Sequence, residues 1–215
     1  LNHAPVSVII VGAGPIGMEF ASLWSRFGSS VTVIEMMSHV LPMEDVDISI
    51  EAGIFFRNAD IAIKTATSVS AVQVKENGVE VIVSCNGQEE VLHAEKILIA
   101  TGFAPNTAEL ALDVPGVNLT RDTIVVDDKM RTNVPGIYAI GDITGKLGLA
   151  HVASAQGLIA AETTAGHATQ ALNYQNIPRC TFSAIEVASA GLSQDEAERN
   201  FPFKKKKKSP FAPNG

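Results

Sequence analysis

Gly12, Gly14 and Gly17 stand at the spacing of a Gly-x-Gly-x-x-Gly turn, and an acid, Glu35, follows further along the chain. The first glycine permits a tight turn. The second carries no Cβ to hold a pyrophosphate off the backbone, and the third lets a helix pack closely on a strand. Pro15 and Ile16 complete the turn. A helix opening there would stabilise phosphates through its unpaired N–H groups and its dipole. Glu35 would accept hydrogen bonds from the adenosine ribose hydroxyls. Met36, Met37 and Ser38 come next, so no basic side chain is at hand to balance a 2′-phosphate, and NAD is expected over NADP. Two other readings stay open for the turn alone. The fingerprint also serves FAD, and three glycines can simply make a tight connection.

Such a turn carries chemistry only between a strand and a helix. Val6–Val11 is a continuous apolar, β-branched run of the kind buried on both faces of a sheet. From Gly17 onward Phe20, Leu23, Trp24 and Phe27 recur at helical spacing, and Gly28 suits a C-cap. Val31–Ile34 is a second buried strand ending at Glu35, which completes a βαβ unit with an expected right-handed crossover. Met43–Arg57 reads as a helix weakened by Gly53. The period then becomes two: Thr67–Lys75, Val79–Ser84 and Glu89–Leu92 alternate, with hairpin turns expected at Asn77-Gly78 and Asn86-Gly87. Lys96–Ala100 returns to a buried strand. Beyond a Pro- and Gly-punctuated stretch, Ile124–Val126 and Ile137–Ile140 read as strands and His151–Thr164 as an Ala-rich helix. Cys180–Phe182 and Glu186–Ala190 suggest two more strands, and Ser193 with Glu196 makes a capping box.

Bulk properties narrow the classes. The 215 residues are 46% hydrophobic and 18% charged, enough for a substantial core. A net charge of −7 argues against nucleic acid or an anionic membrane as the main partner. No apolar run approaches the roughly 20 residues of a membrane span. Cys85 and Cys180 match neither a disulfide framework nor a metal site; they are expected to be ordinary thiols of a cytoplasmic protein, and no metal ligands are assigned. Leu1–Pro5 show no signal-peptide pattern, and without an initiator Met the chain is expected to be a piece of a longer protein. Lys204–Lys208 is expected to be an exposed loop rather than a nucleic-acid or lipid patch.

Three further stretches occur in a telling order: Ala100–Asn106 (ATGFAPN), Gly136–Asp142 (GIYAIGD) and Leu149–Gly157 (LAHVASAQG). With the glycine turn, this ordered set resembles the flavoprotein disulfide reductases, the pyridine nucleotide-disulfide oxidoreductases. The Leu149-Ala150-His151 step, the Gly14–Glu19 helix start and the opening of the last segment at Ile177 favour the dihydrolipoamide dehydrogenase branch. The resemblance covers nearly the whole chain. It implies that the glycine turn takes NAD rather than FAD, with Val69 touching the adenosine and Gly102 approaching NAD through its backbone. It also implies an FAD contact: Asp142, after Gly141, to the ribityl chain, and the backbone of Gly148, Leu149, Ala150 and His151 along the pyrimidine edge. Glu19 matches the acid that pairs with a flavin-side lysine near the nicotinamide.

The fold class implied is α/β: a Rossmann-like βαβ NAD domain with an antiparallel β-meander over 1–102, part of an FAD domain over 103–172, and the start of an α+β interface domain over 173–215. The family's redox cysteine pair, its first FAD fingerprint and its His–Glu acid/base pair have no counterpart in these residues. Ile185 stands where the family usually has Pro, and Phe103 replaces its usual Arg. The expected whole protein is a homodimer that oxidises dihydrolipoamide, serves the lipoyl domains of 2-oxo acid dehydrogenase complexes, and passes hydride to NAD+. This chain alone is expected to be inactive. Two alternatives are another disulfide reductase, mercuric or glutathione reductase-like, and a non-catalytic NAD(H)-binding module.

Overall fold

A computed structural model describes residues 1–202 and Ser209, so the Lys204–Lys208 run lies outside the described residues. The chain divides into two compact units, Leu1–Thr101 with Pro178–Gly215, and Gly102–Ile177.

The first unit is built on β1 (Ser7–Val11), α1 (Pro15–Arg26), β2 (Ser30–Ile34), α2 (Val46–Asn58) and β3 (Ile61–Lys64). A meander follows, β4 (Thr67–Lys75), β5 (Gly78–Cys85) and β6 (Gln88–Ala94), and then β7 (Lys96–Ile99). Strands β3, β2, β1 and β7 form one sheet in that order, every pair parallel. This is the Rossmann-like βαβ arrangement expected. The apolar run of β1 has partners on both faces, which is why it does not alternate. Val8 and Ile10 join Val31 and Val33 against Met18 and Ala21 of α1 and Ala52 and Phe56 of α2. Ile9 points the other way and packs with Ile34 against Val79, Val81 and Val83 of β5.

Several elements differ from the sequence reading. Helix α1 starts at Pro15, whose missing N–H costs nothing at the first helical position. Helix α2 starts at Val46 rather than Met43, because the Asp45 carboxylate caps it by accepting the Asp47 N–H at 3.2 Å. Strand β3 was not expected; it follows a turn at Ala59-Asp60, with Asp60 at φ +58°. In the meander, Lys75 pairs with Gly78, so the first turn is Glu76-Asn77, one residue earlier than expected. Gly78 opens β5 instead; at φ +142° a Cβ there would strike the Ala94 carbonyl oxygen. The second turn is Asn86-Gly87 as expected, with both residues at positive φ.

The same unit includes β10 (Arg179–Phe182) and β11 (Glu186–Ser189), an antiparallel hairpin, and α4 (Gln194–Asn200). The capping box at Ser193 and Glu196 forms as expected. Val187 and Ile185 join the core beside α1.

The second unit contains a small hairpin, β8 (Leu119–Thr120) with β9 (Thr123–Ile124), a 3₁₀ turn at Gly141–Thr144, helix α3 (Ala150–Thr164) and a short 3₁₀ turn at Tyr174–Asn176. Val117, Ile124, Val126, Met130, Ala139 and Ile159 form its core. Ile137–Ile140 is not the strand its composition suggests. It makes a single bridge, Tyr138 with Arg131, and turns away at Gly136 (φ +82°) and Gly141 (φ +76°). Ile124–Val126 is likewise cut short to the end of a two-residue strand.

Candidate cofactor sites

In the first unit, the glycine turn links the C-terminal end of β1 to α1. Its geometry is set by close backbone packing. A Cβ on Gly12, at φ +102°, would sit 2.5 Å from the Ala100 carbonyl oxygen, and one on Gly17 would collide with the Gly12 carbonyl. Gly14 is different: a Cβ there would meet nothing within 4 Å. Two glycines are therefore demanded by the fold itself, while the third faces open space. Gly14 caps α1 without a side-chain hydrogen bond, and no acid stands in the first turn. Pro15 has no N–H to offer, and the N–H groups of Ile16 and Gly17 have no intrahelical acceptor. An anion fits this donor set, which no side chain of the helix's own first turn occupies.

Glu35 sits at the tip of β2 and is only 6% exposed. One carboxylate oxygen accepts the Ala13 N–H at 2.7 Å, the other the Met37 N–H at 2.8 Å. Its own backbone is held between strands, donating to the Lys64 carbonyl and accepting from the Thr67 N–H. The carboxylate is thus fixed against the middle of the glycine turn, and each oxygen keeps a lone pair for a hydroxyl donor. Val69 lies two residues beyond Thr67 on β4, half-buried against the core shared by the sheet and the meander. A bulge after Val69 shifts the register with β5 at that point.

Glu19 lies on α1 one turn beyond Pro15. Its carboxylate accepts the Phe182 N–H at 2.7 Å, while the Ser22 hydroxyl accepts the Ala184 N–H at 2.9 Å. Two side chains one turn apart on the helix thereby seat the loop between β10 and β11. Sequence reasoning singled out Glu19 but not this role, because the partner is a backbone group 163 residues away.

In the second unit, Gly102 adopts φ +115°, with open space where a Cβ would be. Gly141 opens the 3₁₀ turn, and the Asp142 side chain is exposed beside Gly148. A Cβ on Gly148 would lie 2.7 Å from the Phe103 ring and 3.4 Å from an Asp142 carboxylate oxygen. Leu149 caps α3 with no side-chain hydrogen bond and no acid in the first turn, leaving Ala150 and His151 at an exposed helix start. The turn and helix start therefore come together, as a carboxylate acceptor beside backbone donors. That donor and acceptor set fits a flavin's polyol chain and pyrimidine edge.

A surface cavity of about 450 Å³ lies by Val6, Ser7, Glu80, His93 and Glu95. It borders the start of β1, the opposite end from the glycine turn, whereas open parallel sheets bind ligands beyond the carboxyl ends of their strands. Among the described residues, no group of three or more His, Cys, Asp or Glu side chains is placed to hold a metal, and no helix is long and apolar enough to cross a membrane.

Residues 1–157 match the family described as pyridine nucleotide-disulphide oxidoreductase. The chain belongs to that family. It is 47% identical over 198 residues to a dihydrolipoyl dehydrogenase of Mycobacterium leprae, covering 91% of this chain and 42% of the relative. With the dihydrolipoyl dehydrogenase of Corynebacterium glutamicum it shares 43% identity over 218 residues, 99% of this chain and 46% of the relative. Among solved structures, LpdA of Mycobacterium tuberculosis aligns with a TM-score of 0.85 and 30% identity, covering 93% of this chain and 43% of that one. The HOCl-induced flavoprotein disulfide reductase RclA of Escherichia coli aligns with a TM-score of 0.84 and 30% identity, covering 93% and 46%. The chain spans less than half the length of these relatives.

Proposed function

We propose that this chain is the NAD(H)-binding segment of a dihydrolipoyl dehydrogenase. The observation that carries the reading is Glu35, buried and oriented by two backbone N–H groups against an uncapped, acid-free helix start. The α1 N-terminus would hold the pyrophosphate, with Gly14 giving it room. Gly12 and Gly17 shape the turn, and Glu35 would accept the ribose hydroxyls. A 2′-phosphate would meet the same carboxylate with no neutralising side chain among Met36, Met37 and Ser38, so NAD is selected over NADP. Val69 would flank the adenosine, and Gly102 would offer backbone without a side chain.

FAD would be held by the second unit: Gly141 and Asp142 toward the ribityl chain, and Gly148, Leu149, Ala150 and His151 through their backbone. Their donor set supports this. In the full-length enzyme, the proposed reaction converts dihydrolipoamide and NAD+ to lipoamide, NADH and a proton, through a redox disulfide and FAD. Glu19 would lie close to the nicotinamide and pair with a flavin-side lysine, using the carboxylate lone pairs left by Phe182. We assign residues 1–102 to the NAD domain, 103–172 to the FAD domain and 173–215 to the start of the interface domain. The whole protein would be a cytoplasmic homodimer acting on lipoyl domains.

The direct test is fluorescence titration with NADH and NADPH. NADH should bind more tightly, and Glu35→Ala should weaken NADH. Equal affinity for the two nucleotides would reject the assignment of Glu35. The TM-score shared with RclA favours, as a second reading, a reductase of another disulfide; turnover of dihydrolipoamide by the full-length protein separates the two.

A further inference from the structure

We propose that Gln156 is the positioning residue of the flavin-side turn, holding Gly141–Thr144 so that the Asp142 carboxylate is presented from a fixed backbone. The inference rests on the flavin reading above for its purpose, but its geometry stands independently. Gln156 lies on the buried face of α3, in line with Val152, Ile159 and Thr163, and is 0% exposed. Helical spacing calls for an apolar residue there, and a leucine would serve the packing. What the carboxamide adds is two directed bonds. Its Oε1 accepts the Gly141 N–H at 2.6 Å, and its Nε2 donates to the Tyr174 hydroxyl at 2.9 Å.

The amide's orientation is dictated by its partners. The group that Gly141 turns toward Gln156 is its N–H, a donor, so the carboxamide oxygen must face it. That N–H opens a 3₁₀ turn and so has no acceptor within the turn itself. At φ +76°, Gly141 is in a left-handed conformation that a free chain would leave readily. Gln156 therefore satisfies an orphan donor and pins the one residue whose dihedral angles aim Asp142. From there the turn is closed by short-range bonds: the Thr144 hydroxyl to the Gly141 carbonyl at 2.8 Å, and the Gly145 N–H to the Asp142 carbonyl at 3.0 Å. On the far side of the carboxamide, the Tyr174 ring lies 5.8 Å from the Lys146 ammonium, just past the end of the turn. The turn is thus braced at its first residue by Gln156 and approached beyond its last through Tyr174. A buried carboxamide left half-paired would be costly, so the two anchors depend on each other.

The test uses the full-length protein with Gln156→Leu, Gln156→Glu and Tyr174→Phe. Leucine fills the volume but cannot accept; glutamate keeps an acceptor for Gly141, and the Tyr174 hydroxyl can turn to donate to it. We expect Gln156→Leu to lower FAD affinity by about tenfold or more, the scale of a lost buried hydrogen bond. Its bound flavin should be more fluorescent than in the parent, while NADH affinity is unchanged. Gln156→Glu should restore flavin affinity to within about threefold of the parent, recovering about half of the lost bond, and Tyr174→Phe should fall between the parent and Gln156→Leu. Hydrogen exchange at the Gly141 amide gives a second readout: protected in the parent and in Gln156→Glu, faster in Gln156→Leu. If Gln156→Leu leaves both flavin affinity and Gly141 protection at parental values, the proposal is wrong. If the parent protein takes up no FAD, the flavin reading falls, and Gly141 exchange alone decides the positioning role. If Gln156→Leu does not fold, Tyr174→Phe decides: unchanged Gly141 exchange there overturns the proposal.

Discussion

The glycine turn of the first unit and the Gly141–His151 segment of the second both place an acid beside an uncapped helix start, yet they are secured in opposite ways. At the glycine turn the acid itself is the brace. Glu35 is buried and clamps Ala13 and Met37, and two of the three glycines are squeezed against neighbouring carbonyls. In the second unit the acid is exposed, and the brace is a different residue, Gln156, acting from behind. The lesson is about separability. Where one carboxylate both shapes the turn and meets the ligand, mutation disturbs fold and binding together. Where the tasks fall to two residues, they can be broken apart.

The sharpest break pits Gly17→Ala against Gly14→Ala. A Cβ at position 17 drives into the Gly12 carbonyl, so either the helix or the turn must move. We expect about 1–3 kcal/mol of lost stability, the usual cost of overpacking, together with loss of NADH binding. At position 14 the new methyl meets nothing, and φ −71° suits alanine. Stability should stay within about 0.5 kcal/mol of the parent while NADH affinity falls. Chemical denaturation and NADH titration on both variants check this. Two variants of equal stability would show that the turn is looser than its packing suggests.

Glu35→Ala comes next. Removing a charged acceptor should cost roughly 1.5–3 kcal/mol in NADH binding, or about 10- to 150-fold in affinity. Because the Ala13 N–H loses its partner too, stability should fall in the same variant. Unaltered denaturation with weakened binding would break the idea that brace and ligand contact are one group. Asp142→Ala supplies the opposite case. Its side chain is exposed, so stability should change by no more than about 0.5 kcal/mol, while FAD retention by the full-length protein drops. Flavin absorbance per protein after gel filtration measures it; undiminished occupancy would remove Asp142 from the site.

How much of this could be read from the chain follows the same division. The glycine turn was legible because its signals are local: a β-branched strand, three spaced glycines, a helical stripe and an acid at the next strand tip. The clamp that Glu35 makes was not, since its acceptors' donors are backbone groups, which every residue possesses. Strand β3 escaped because Ile61–Lys64 is four residues long and gains its partners only through parallel pairing with β2. Ile137–Ile140 misled for the reverse reason. It has strand composition but no neighbouring strand to ladder with, and its backbone bonds run instead to Thr132, Val134 and Met130. Gln156 did leave a trace, a long polar residue in line with Val152 and Ile159 on the buried helix face. Its meaning depended on Gly141, fifteen residues earlier.

The smallest expected effect comes from a third acid, one that braces backbone where no cofactor is proposed to bind. Glu196 closes the α4 capping box by accepting the Ser193 N–H at 2.8 Å, while the Ser193 hydroxyl caps the Glu196 N–H. The Ser193 backbone bond, then its hydroxyl, hold the Glu196 carboxyl below the ordinary value of 4.5; slight desolvation of this exposed group opposes the shift, and nearby Arg199 adds to it. A carboxylate whose folded value is depressed contributes stability that is complete above its unfolded value and lost as pH falls through the folded one. The capping contribution should therefore be intact at neutral pH and fade in acid, as pH falls from the unfolded carboxylate range through the lower folded value. Glu196→Gln keeps an oxygen that can reach Ser193 but does not titrate. Comparing the two by amide exchange in α4 subtracts other acids such as Glu95, which is likewise lowered, chiefly by the Val6 N–H, in both proteins. The parent should be the better protected at pH 7, with the two converging in acid. A difference that persisted unchanged to low pH would mean that charge on a backbone-clamped carboxylate contributes nothing here, and the ligand-site reading of Glu35 would then have to rest on nucleotide titration alone.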